Sequence, residues 1–119
     1  MKLETVIVTN KMYGLISEYN KSITLKRYLN LNTLKLSKIK FIFQQILNSF
    51  KICHDKFIAH RDIKLDNIII NSNLEVSVID FGYSTKVITP LDKKSTRFCG
   101  TPLYMAPNVI SKQIHDRNI

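Results

Sequence analysis

His60-Arg61-Asp62-Ile63-Lys64-Leu65-Asp66-Asn67, then Ile68-Ile69-Ile70, Asn71-Ser72-Asn73, Glu75 to Ile79 and Asp80-Phe81-Gly82: this stretch decides how the chain is read. Asn67 to Ile70 is a short apolar run, and Glu75 to Ile79 (EVSVI) is a second one rich in β-branched residues. The Asn-Ser-Asn between them favours a turn, because such side chains bond their own backbone, so the two runs are expected to pair as a hairpin. Polar, chemistry-bearing residues flank that hairpin on both sides: Asp62, Lys64, Asp66 and Asn67 before it, Asp80 after it.

Upstream, Ile39, Ile42, Phe43, Ile46, Phe50 and Cys53 recur at helical spacing, with Lys40, Gln44, Gln45, Asn48 and Lys51 opposite. The pattern predicts a long core helix, with Ser37 as its N-cap. A shorter helical stretch is expected around Thr24 to Leu31. Before it, Thr5 to Thr9 (TVIVT) and Met12 to Tyr19 read as antiparallel strands joined at Asn10-Lys11. Downstream, Tyr83 to Leu103 is polar and without periodicity, and a structureless segment that long is expected to be functional.

Composition narrows the classes further. A length of 119 residues with 45% hydrophobic and 23% charged residues fits one small globular domain, or a piece of a larger one. The net charge of +9 is spread thinly, with no basic run longer than two and lysines (14) far outnumbering arginines (4). That distribution reads as solvated surface, so no specific nucleic-acid partner is expected. Gly14, Gly82 and Gly100 stand too far apart for a phosphate-binding G-x-G-x-x-G or Walker loop. Cys53 and Cys99 lack metal-ligand spacing and are expected to be reduced thiols. No apolar stretch approaches the roughly 18 residues of a membrane span, and the N-terminus carries Glu4 in place of a leader's apolar core. No membrane partner and a cytoplasmic or nuclear location are the expectation.

The quoted motifs resemble those of eukaryotic-type serine/threonine protein kinases. His60 to Asn67 is similar to the catalytic loop H-R-D-x-K-x-x-N, Asp80-Phe81-Gly82 to D-F-G, and Gly100-Thr101-Pro102-Leu103-Tyr104-Met105-Ala106-Pro107 to the end of an activation segment. The resemblance implies an α+β, protein-kinase-like fold, truncated, with ATP and Mg2+ as cofactors and a protein bearing a serine or threonine acceptor as substrate. By it, Asp62 is the catalytic base and Lys64 offsets charge on the transferring phosphate. Asn67 and Asp80 hold the metal as hard oxygen donors. His60 would be structural, packing under Phe81, beside Gly82. Arg61 would pair with a phosphate on the activation segment, with Ser95 and Thr96 as acceptors and Thr89 a weaker one. Lys64 and Thr101 point to serine/threonine specificity.

By the same resemblance, residues 1–119 are a partial kinase domain: 1–19 the end of the small lobe, 20–119 the first half of the large lobe. The backbone of Glu18 and Asn20 would bond adenine, Ser17 would be the gatekeeper and Ile69 would lie beneath the ring. No Gly-rich loop, V-A-I-K lysine or helix-C glutamate is found, and Asn108 replaces the glutamate of A-P-E. Half a core implies bare apolar faces on the long helix and the hairpin, so a partner protein is expected to cover them. The alternative function is a non-catalytic, kinase-derived interaction module.

Overall fold

A computed structural model describes residues 3–17, 21–87 and 98–111. Strands β1 (Leu3–Val8) and β2 (Tyr13–Ser17) form an antiparallel hairpin in which Val6 faces Leu15 and Val8 faces Tyr13. Thr9 closes its turn, its hydroxyl oxygen accepting the Met12 N–H at 3.0 Å. A two-residue strand, β3 (Ile23–Thr24), leads into helix α1 (Leu25–Leu31), capped by the Thr24 hydroxyl on the Arg27 N–H. Helix α2 (Leu36–Asp55) follows, then β4 (Ile58–Ala59), a 3-10 turn at Leu65–Asn67, and strands β5 (Ile68–Ile70) and β6 (Val76–Val78). Strand β7 (Thr85–Lys86), a 3-10 turn at Pro102–Tyr104 and the short helix α3 (Pro107–Ile110) complete the described elements.

The expected hairpin forms with Ile68 opposite Val78 and Ile70 opposite Val76, and β3 adds to its outer edge to make a sheet in the order β3-β5-β6. Leu25, Ile42, Ile68 and Ile70 form the core, with Ile46, Leu65, Leu74 and Val76 packed around them. α1 and α2 thus cover a small sheet, an α+β arrangement. A separate pairing of β4 with β7 ties the start of the catalytic-type loop to the segment after Asp80-Phe81-Gly82. Two-residue strands carry no periodicity of their own, and β3, β4 and β7 had none to read. Among the described residues no helix is long and apolar enough to cross a membrane.

Two expectations about α2 are corrected. Its N-cap is Lys35, whose carbonyl accepts the Lys38 and Ile39 N–H groups; Ser37 lies inside the first turn, and no side chain caps the helix. Its buried face keeps Ile42, Ile46, Phe50 and Cys53 of the expected one but is narrower and shifted at three positions. Ile39 and Phe43 are 47% and 57% exposed, while Gln45, expected outside, is half-buried and bonds the main chain of Leu74 and Val76. The reason is that β6 and β4 cover only one side of the helix, and the hairpin presents backbone polar groups that an amide satisfies and an aliphatic side chain does not. The apolar side chains of β1 and β2 are likewise mostly exposed, Leu15 at 72%.

Candidate active site

Asp62 is the centre of the site. It stands on the loop between β4 and the Leu65–Asn67 turn and is 4% exposed. Both its oxygens are occupied by donors. Oδ2 accepts from Lys64 Nζ at 2.7 Å and from Asn67 Nδ2 at 2.9 Å, while Oδ1 accepts from the Thr101 hydroxyl at 2.7 Å. Lys64 Nζ reaches Thr101 Oγ1 as well, at 3.1 Å. Asn67 Nδ2 also donates to the Asp62 carbonyl at 2.9 Å, locking the loop on itself. Burial by itself would raise the Asp62 carboxyl; the hydrogen bonds from Lys64 and Thr101, the Lys64 charge and the Asn67 amide outweigh it and hold the group below the ordinary aspartate range. Lys64 moves the other way. Its bond to Asp62 raises it, partial burial opposes that, and the charges of Asp62, Asp80 and Asp66 add to the rise.

The flanking residues hold this loop in place. His60 is 2% exposed, and its Nδ1 accepts the Asp62 N–H at 3.2 Å. Nε2 therefore carries the proton and donates to the Ile79 carbonyl at 3.0 Å. The ring packs edge-on against Phe81, centroids 4.8 Å apart, and against Phe50 at 6.1 Å. Arg61 takes a left-handed φ of 67°, donates from Nε to the Tyr83 carbonyl at 2.6 Å, and keeps Nη1 buried with no hydrogen-bond partner among the described residues. Asp80 is left-handed too, at φ 62°, and its Oδ1 accepts the Gly82 N–H at 3.2 Å. A Cβ on Gly82 would press that oxygen at 3.1 Å. Two non-glycine residues in this region cost on the order of 1 kcal/mol each and sit at either end of the site, where such strain clusters. At the edge, Lys26 of α1 pairs with Asp66 at 3.3 Å, both side chains largely solvated.

The hairpin brings Asn67 and Asp80 to neighbouring strand ends, where the Ile79 N–H meets the Asn67 carbonyl at 2.9 Å. Asn67 uses its amide NH2 on Asp62, which leaves its side-chain oxygen for another ligand, and Asp80 has an oxygen beyond the one that Gly82 holds. One carboxylate and one amide oxygen suit a Mg2+ that arrives with phosphate oxygens; a caged metal would need more. Consistently, no group of three His, Cys, Asp or Glu side chains among the described residues could hold an ion unaided.

Ile69 is half-buried at the middle of β5, between Thr24 and Ser77, and Ser17 ends β2. Glu18, Asn20, Thr89, Ser95 and Thr96 lie outside the described residues. The contribution of Thr101 to Asp62 was not foreseen; its place in the Gly100-Thr101-Pro102 motif was the only signal. The turn at Gly100 explains it. Gly100 has φ 110°, and a Cβ there would lie 2.8 Å from the Arg61 carbonyl, so only glycine lets the segment approach the loop this closely.

The chain is similar to known proteins along much of its length. A family model described as "Protein kinase domain" matches residues 1–119. The serine/threonine-protein kinase PLK2 of Mus musculus is 38% identical over 78 residues, which cover 66% of this chain and 11% of that protein. PLK2 of Rattus norvegicus aligns with the same figures. The serine/threonine-protein kinase SRK2I of Arabidopsis thaliana is 34% identical over 122 aligned residues, 100% of this chain and 33% of that protein. The chain spans about a third or less of the length of these curated relatives.

Proposed function

The chain belongs to the protein kinase family, and from that premise we propose that its site transfers the γ-phosphate of ATP to serine or threonine hydroxyls of proteins. The family uses ATP, typically with Mg2+. The observation that carries the proposal is the network on Asp62, which joins the catalytic-type loop to a threonine 39 residues away.

A carboxylate offers about four lone-pair sites, and three are taken here by Lys64, Asn67 and Thr101. The remaining site on Oδ1 accepts the hydroxyl proton of the acceptor without breaking the network. Because Asp62 is held ionised and weakly basic, its main work is to orient that hydroxyl, and it takes the proton as the new P–O bond forms and the bond from the γ-phosphorus to the bridging oxygen breaks, that oxygen leaving with ADP. Lys64 stands beside it as a fixed positive charge for the transferring phosphoryl group. Asn67 and Asp80 would hold Mg2+, which supplies charge neutralisation on the phosphate oxygens when bound. Ile69 would pack beneath the adenine, and the backbone of Glu18 and Asn20 would bond its edge. Arg61, with a buried donor that has no partner among the described residues, would bind a phosphate on the segment containing Ser95 and Thr96. A non-catalytic module is the less favoured alternative, since Asp62, Lys64, Asn67 and Asp80 are all retained.

The test is radiolabel transfer from Mg-ATP to a generic basic protein. Asp62→Ala is expected to lower incorporation at least about 100-fold. Equal incorporation by the unaltered chain and the variant would refute the proposal.

A further inference from the structure

We propose that Gln45 is a positioning residue for the Asn67–Asp80 pair, acting through the β5–β6 hairpin; the proposal rests on the phosphoryl-transfer reading above. Gln45 projects from α2 and spends both ends of its amide on the far end of that hairpin. Nε2 donates to the Leu74 carbonyl at 2.9 Å, and Oε1 accepts the Val76 N–H at 3.1 Å. These backbone groups lie 29 and 31 residues away in sequence, on the closing side of the Asn71–Glu75 turn. The turn is itself tightly built. The Asn71 side-chain oxygen accepts the N–H groups of Asn73 and Glu75, and Leu74 holds a left-handed φ of 63°.

At the other end of the same hairpin stand Asn67, one residue before β5, and Asp80, two residues after β6. The packing between hairpin and helix is apolar, with Leu74 and Val76 against the cluster of Ile42, Ile68 and Ile70. Apolar contact is non-directional and fixes separation better than angle. Two hydrogen bonds from one planar amide do fix the angle. The strands span about 10 Å, so a tilt of about 10° at the Gln45 end carries the metal-facing end through roughly 1.7 Å. Mg2+ demands near-ideal octahedral geometry and does not absorb a shift of that size.

The experiment measures ADP affinity of the full chain by titration calorimetry, once with Mg2+ and once with EDTA. It compares the unaltered chain with Gln45→Met, Gln45→Glu and the exposed neighbour Gln44→Met. The ratio of the two affinities reads the metal geometry, which a general loss of stability does not change. Gln45→Met fills the same space without polar groups and is expected to lower the ratio about tenfold, at the low end of what outer residues do to metal affinity. Gln45→Glu keeps the acceptor for Val76, falls between, and carries the test where the methionine variant does not fold. Gln44→Met should match the unaltered chain. A ratio unchanged in the Gln45 variants, whatever their melting temperature, overturns the proposal. An unaltered chain that binds ADP under neither condition overturns the nucleotide reading as well, so the two failures are told apart.

Discussion

Replacing Thr101 by valine removes one hydroxyl at nearly constant volume, and its cost is set by the oxygen that hydroxyl meets. Thr101 donates to Asp62 Oδ1 at 2.7 Å, and Asp62 is 4% exposed. A hydrogen bond to a charged group is worth about 1.5–3 kcal/mol, so Thr101→Val should lower the unfolding free energy by about 2 kcal/mol at neutral pH. In a domain of this size that is a fall in Tm of about 8 °C. The charge on Asp62 separates this effect from packing. In an Asp62→Asn background the hydroxyl faces a neutral amide, and the cost of Thr101→Val should shrink to below about 1 kcal/mol. Denaturant unfolding of the unaltered chain, the two single variants and the double variant gives a coupling of about 1 kcal/mol or more. If Thr101→Val costs the same in both backgrounds, to within about 0.5 kcal/mol, the hydroxyl contributes nothing through the carboxylate and the account of the site fails.

Other outcomes follow from the same geometry. The folded-state pKa of Asp62 is depressed, so the stability it contributes is present above about pH 3.9 and lost as pH falls through the lower folded value. That of Lys64 is raised, so its contribution is present below about pH 10.4 and lost as pH rises through the higher folded value. The stability difference between the unaltered chain and Lys64→Met should therefore close at both extremes; a difference constant from about pH 2 to about pH 12 contradicts this. Gly100→Ala meets both a φ of 110° and a backbone oxygen at 2.8 Å, and should cost about 1–3 kcal/mol in thermal unfolding. An unchanged Tm would show that the segment does not approach the loop as described.

What could be read without coordinates was whatever depends on neighbours in sequence. The hairpin at residues 68–78 was legible because β-branched runs and an Asn-Ser-Asn turn are local signals, and α2 because its apolar period is local as well. The catalytic-type loop was legible for the same reason: Asp62, Lys64 and Asn67 are close along the chain and meet in space through one short loop. Periodicity states that a helix has an apolar side, but the neighbours decide how wide that side is. Ile39 and Phe43 stay exposed because β4 and β6 cover only a narrow stripe, and Gln45 turns inward because a strand end offers it a carbonyl and an N–H. Thr101 reaches Asp62 across 39 residues, and β4 meets β7 with Ala59 opposite Thr85 and Ile58 opposite Lys86, through contacts that no local pattern encodes. The chain by itself specified which side chains carry chemistry. Tertiary packing decided which of them share a carboxylate, because hydrogen-bond partners across a loop are selected by backbone approach, here permitted by a single glycine.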